Sequence, residues 1–145
     1  MRTLVFVLSL LLSASALSAA DGKLMHCFYF TTIDAATDAD WQAFAEATEA
    51  LPGKIPGLLS VWHGKLRRPM RLVSTDRETG KKISAGEANV TGPVRGITRQ
   101  YGVCMEMADE AALKAYADHP AHPDWMKVYE KVRVAGTTTV DIIGE

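Results

Sequence analysis

Residues Tyr101 to Trp125 read YGVCMEMADEAALKAYADHPAHPDW, and three local patterns follow one another inside them. Tyr101, Val103, Met105 and Met107 alternate with Gly102, Cys104 and Glu106, the period of a strand with one buried face. Asp109 then offers a helix N-cap, and Ala112, Leu113 and Tyr116 recur at helical spacing as far as Ala117. The string His119-Pro120-Ala121-His122-Pro123 interrupts. A further helical run from Asp124 to Val134 lines up Trp125, Val128, Tyr129 and Val132, and Gly136 is expected to end it. A strand opening at Ile97 is thus followed by one helix and an extra one.

The flanking sequence repeats that logic. Leu24 to Thr32 (LMHCFYFTT) is aromatic and β-branched, so it reads as a strand with His26, Phe28 and Phe30 on one face and Met25, Cys27 and Tyr29 on the other. Thr37 or Asp38 caps an amphipathic helix over Asp38 to Leu51 that carries Trp41, Phe44, Ala45, Thr48 and Leu51, and Pro52-Gly53 stops it. Gly57 to Lys65 (GLLSVWHGK) reads as a second strand and Thr137 to Ile143 (TTTVDII) as the last. Between them, about 66–99 is polar and rich in arginine, and is expected to form an extended hairpin connection or flap.

Two split β-α-β units in this order make an α+β, ferredoxin-like sandwich, an antiparallel four-stranded sheet with helices on one face. The other face is left bare. Alternation assigns Cys27, Tyr29, Leu59, Cys104, Val140 and Ile142 to it, and such a patch calls for a partner. Two sheets packed face to face as a homodimer, a dimeric α/β barrel, bury it most simply.

Composition narrows the function classes. The chain has 145 residues, 48% hydrophobic and 23% charged, with a net charge of −1, which suits a single domain and provides no basic stripe for nucleic acid. Residues 1–20 are set apart: Arg2, an apolar run from Leu4 to Leu12, then Ser18 and Ala20 placed for cleavage before Asp21. This is the pattern of a secretory signal peptide, too short in its apolar run to span a bilayer, so residues 21–145 are expected to work secreted or periplasmic and off the membrane. In that setting Cys27 and Cys104 have three options: a cross-strand bridge, an intersubunit bridge, or buried free thiols.

Several segments resemble the stress-responsive dimeric α/β-barrel (Dabb) family: LMHCFYF with His26, the stretch KIPGLLSVWHGK, and above all Tyr116-x-x-His119-Pro120-x-His122 after an Asp-capped helix and before an aromatic. The similarity spans residues 21–145 apart from an insertion at about 66–99. It implies a homodimer with a small-molecule cleft between sheet and helices, and, from the family's plant polyketide cyclase, cofactor-free proton transfer on a carbonyl compound. In that comparison the catalytic pair falls on Tyr116 and His122, while His26 and Asp141 match pocket residues. Tyr101 stands where that relative has a histidine and Thr48 where it has a tyrosine, so a different substrate is implied. A non-catalytic stress or structural role through assembly is the alternative.

The side chains support this reading chemically. His122 titrates close to neutrality and so both takes and gives a proton, and a tyrosine hydroxyl beside it orients the ring or polarises a carbonyl. Phe28, Phe44, Tyr101 and Trp125 are expected to line the same cleft with His26 and Asp141. His119 is assigned to backbone capping in the Pro-rich turn, and His63 to a rim without function. His119 and His122 lack Cys or Glu companions at zinc spacing, so no metal is assigned, and no motif calls for a cofactor.

Overall fold

The computed structural model describes residues 22–144, so the signal-peptide segment lies outside the described residues. The chain runs β1 (Leu24–Thr32), α1 (Asp38–Glu49), β2 (Leu58–Thr75), α2 (Arg77–Ser84), β3 (Val94–Met107), α3 (Glu110–Asp118), α4 (Ala121–Val132) and β4 (Arg133–Ile143). The strands form one sheet in the order β2-β3-β1-β4, every neighbouring pair antiparallel. This is the ferredoxin-like α+β arrangement that the element order implies.

Local chemistry accounts for the boundaries. The Thr37 hydroxyl accepts from the Asp40 N–H (3.2 Å) and the Asp40 carboxylate accepts from the Thr37 N–H (3.0 Å), a reciprocal cap that fixes the start of α1. Asp109 accepts from the Ala112 N–H at 2.7 Å and starts α3. The helices, with Leu51 of the turn after α1, press Phe44, Ala112, Tyr116, Trp125 and Tyr129 onto Phe28, Phe30, Val103, Met105 and Met107 of the sheet. One polar side chain is sealed in with them. Thr48 donates to the Phe44 carbonyl (2.6 Å) and accepts from the Trp125 indole N–H (2.9 Å), tying α1 to α4 with every polar atom paired.

One expectation is made definite and two are corrected. First, the 66–99 segment is a continuation of the sheet: β2 and β3 pair onward from Met70↔Arg99 to Thr75↔Val94, and Asp76 caps the short helix α2 at the far end. Four residues, Leu66 to Pro69, oppose Gln100 alone where the arm leaves the body, a bulge that absorbs a proline with no N–H to give to the ladder. Second, the register shifts between Leu58 and Ser60, so the alternation of β2 inverts. Trp62, opposite Cys104, therefore stands on the open face at 82% exposure, whereas Val61 and His63 turn toward the helices. Third, Gly136 does not end a helix. Alpha4 stops at Val132 and the chain passes directly into β4, with Gly136 at φ +92° inside a bulge where β1 and β4 slip register.

The open face thus presents Met25, Tyr29, Trp62, Val140 and Ile142 around the bridge Cys27–Cys104. These cysteines are direct register partners on β1 and β3, with Cα atoms 4.1 Å apart, so the cross-strand option is the one realised. Tyr29 lies over Gly102, where a β-carbon would come within 2.8 Å of its ring. Tyr29, Trp62 and Leu66 wall a hollow of about 230 Å³ there.

Candidate functional site

His26 sits on the helix-facing side of β1, directly opposite Asp141 of β4, and its Nδ1 lies 2.6 Å from the Asp141 carboxylate. An ionised carboxylate only accepts, so Nδ1 donates to it and Nε2 is the ring nitrogen left without a protein partner. Tyr116 comes from the last turn of α3 and His122 from the first turn of α4. The two rings meet edge to face with centroids 4.8 Å apart, and Tyr116 also lies 6.1 Å from the His26 ring. His122 stacks on Trp125 at 5.9 Å, which in turn packs edge-on against Phe28.

The turn between α3 and α4 is what brings them together. His119 accepts the Ala121 N–H on Nδ1 at 3.1 Å, closing the start of α4, which is the capping role assigned to it. Alpha4 begins at Ala121, earlier than the periodicity implied, because Pro123 falls in the first turn where its missing N–H costs no helical bond. His122 is therefore held on a rigid helix end rather than in a loop.

Electrostatics set the protonation states. Burial, and then the charge of His26, hold the His122 imidazole below its ordinary value, so it is neutral near pH 7. Burial pushes the Tyr116 phenol above its ordinary value and keeps it a hydrogen-bond donor. A base with a free lone pair and a donor of a proton or hydrogen bond thus face the same space. Two cavities meet at His26, Tyr116 and His122. One, of about 630 Å³, opens between α3 and the ends of β1 and β4 past Leu24, Leu113 and Ile143. The other, of about 170 Å³, runs along α4 past Phe28, Trp125, Tyr129 and Thr139 to Arg133.

Six of the eight residues picked from sequence (His26, Phe28, Tyr116, His122, Trp125 and Asp141) are brought together here. Phe44 and Tyr101 are not. Phe44 is wholly buried behind Trp125, and Tyr101 faces the opposite end of the sheet, where its hydroxyl pairs with His63 Nδ1 at 2.9 Å. His63 is no rim residue either: it is clamped between Tyr101 and the Glu49 carboxylate, 3.3 Å from Nε2. Sequence reasoning missed Tyr129, Arg133, Thr137 and Thr139. The alternation that ends on Asp141 places both threonines on its face, but beginning the strand at Thr137 left Arg133 out. Among the described residues, no three His, Cys, Asp or Glu side chains cluster to hold a metal ion. No described helix is long and apolar enough to cross a membrane.

No family model and no curated protein matches the chain. Solved structures do. A Dabb family protein with a ferredoxin-like fold from Mesorhizobium loti superposes with a TM-score of 0.56 at 18% identity, over 86% of this chain and 98% of that one. The fold is that of a Dabb domain. A dimeric ferredoxin-like protein of unknown function from Bacteroides fragilis shares it (TM-score 0.55, 20% identity, 85% of this chain and 97% of that one). So does a hydroxynitrile lyase from Passiflora edulis (TM-score 0.58, 9% identity, 86% and 95%).

Proposed function

We propose that this protein is a secreted or periplasmic homodimer, paired through its open sheet face, that binds a small, partly apolar carbonyl compound and moves a proton on it without a cofactor. The observation that carries the reading is the meeting of a neutral His122 and a protonated Tyr116, 4.8 Å apart between ring centroids, at the junction of two cavities. In the step, a ring nitrogen of His122 takes a proton from the carbon next to the carbonyl. The electron pair of that C–H bond becomes the enolate, whose oxygen accepts a hydrogen bond from the Tyr116 hydroxyl. The imidazolium then returns its proton to carbon or to a leaving group. His26, oriented by Asp141, presents Nε2 to a polar group on the ligand.

Several features support the wider setting. Dimeric proteins and a lyase share the fold. The open face carries an exposed tryptophan among apolar neighbours, with a hollow beside it that offers a socket for a side chain of a second copy. An in-chain disulfide and a leader-like N-terminus suit an oxidising compartment.

The test is deuterium incorporation next to the carbonyl of 4-phenylbutan-2-one in heavy water, followed by NMR. The wild-type protein is expected to accelerate exchange, and His122→Ala to lose at least about a hundredfold of that acceleration while keeping its circular dichroism. Equal rates for the two proteins overturn the catalytic reading and leave a role through assembly, which the open face favours.

A further inference from the structure

We infer that the groove along α4 selects an anionic guest, a carboxylate whose acidic group lies at Arg133 and Tyr129 while its reacting end lies at Tyr116 and His122. This names the ligand class of the site proposed above and rests on that site being the binding groove.

The far end of the groove is built for an anion. Arg133 lines it with a side chain only 14% exposed, and its Nε is buried with no hydrogen-bond partner. The hydroxyl of Tyr129, a residue 3% exposed on the same wall, is likewise buried and unpartnered. The guanidinium lies 4.5 Å over the Tyr129 ring, which fixes its plane. Buried donors without acceptors are rare in folded proteins, and two in one groove point to an acceptor that arrives from outside.

The protein's own acids do not fill that role. The carboxylate nearest Arg133 is Glu130, 3.7 Å away, on the outside of the helix and 63% exposed, where water screens the pair. A second guanidinium reinforces the field. Arg99 of β3 is 7% exposed, bonds only to the hydroxyls of Thr31 and Thr138, has no carboxylate within 4 Å among the described residues, and lies beside Gly136 of β4, the strand that Arg133 opens. At the other end, Asp141 places a negative charge beside His26. A guest with one acidic end is therefore repelled from Asp141 and drawn to Arg133, so the field sets its direction.

Geometry sets its length. Thr137, Thr139 and Asp141 face the groove along β4 and span about 13 Å at a strand's rise. Phe28 and Trp125 line the middle with apolar surface. The guest is thus an extended acid with an apolar centre, and a planar carboxylate suits the two-pronged donor geometry of a guanidinium.

The test titrates the purified protein with 4-phenylbutanoate and with the uncharged isostere 4-phenylbutanamide, by calorimetry or NMR. The acid is expected to bind at least about tenfold more tightly than the amide. Arg133→Gln should abolish the difference, Tyr129→Phe should reduce it, and Glu130→Gln, which removes the competing acid, should tighten the acid alone. Equal affinities, no binding of either at millimolar concentration, or an unchanged preference in Arg133→Gln overturn the inference. The His122→Ala protein separates the two readings. An acid preference that persists there without any exchange activity in the wild type sinks the catalytic step only. His122-dependent exchange without an acid preference sinks the anion site only.

Discussion

Replacing Trp62 by glutamate should turn the protein into a folded monomer. The residue stands at 82% exposure on the open face of the edge strand β2, so it adds almost nothing to the stability of one subunit. In a twofold interface the same patch faces itself and each substitution counts twice. An aromatic side chain buries roughly 150–250 Å², worth about 25 cal/mol per Å², so covering most of two indoles contributes on the order of 6–10 kcal/mol. Even if half of that is realised, the dissociation constant of the variant rises by roughly 150- to 5,000-fold, before the cost of burying two carboxylates is added. Sedimentation velocity over a micromolar dilution series reads the change directly. The wild-type protein should sediment as a dimer and the variant as a monomer, both with the same far-ultraviolet dichroism. A wild-type monomer, or a variant dimer of undiminished affinity, refutes the pairing argument.

Thr48→Val keeps the shape of the α1–α4 contact but orphans the Trp125 indole N–H, a loss of about 1–3 kcal/mol that should lower the melting temperature by several degrees; an unchanged melting point would show that the bond is dispensable. Because the folded pKa of His122 is depressed, the unfolded chain binds its proton first, so this group's contribution to stability is present above pH about 6.5 and lost as pH falls through the folded value; denaturant titrations at pH 7 and pH 5 should show that slope flattened in His122→Ala. His26→Gln removes the charge that helps depress His122, and its NMR titration midpoint should rise toward the ordinary histidine value. Reducing Cys27–Cys104 opens a loop of 77 residues and should cost about 3–4 kcal/mol, read as a lower urea midpoint in the presence of dithiothreitol.

Much of this architecture was legible in the residues because local and tertiary demands agree. Leu24–Thr32 is rich in aromatic and β-branched residues, buries Leu24, Phe28 and Phe30 on one face, and is the strand expected from its pattern to the residue. The grouping of Tyr116, His122, His26 and Asp141 came from the Dabb resemblance, and the register of β1 against β4 places His26 opposite Asp141. The illegible parts are those where the backbone breaks its own period. One extra residue near Leu59 moved Trp62 from the core face to the open face, and no periodicity argument sees a bulge in advance. The 66–99 segment looked like a connection because its side chains are polar on both faces, yet its ladder needs only backbone groups and a partner strand. Arg133 was hidden because a glycine after a helix usually marks its end. Here the pairing of Arg133 in β4 with Thr32 overrides that signal three residues earlier.

The cross-link between Cys27 and Cys104 welds together the two middle strands and leaves the rim strands β2 and β4 held by their ladders alone. Of these β4 has the shorter ladder, so opening of the sheet is steered to its side. Amide protons of β1 and β3 should outlast those of β4 in exchange, because only the latter can peel away without severing a covalent link. The peeling edge bears Thr137, Thr139 and Asp141, so the floor of the cleft is the piece of the molecule best able to yield to an arriving guest, while the histidine and tyrosine above it stay in place.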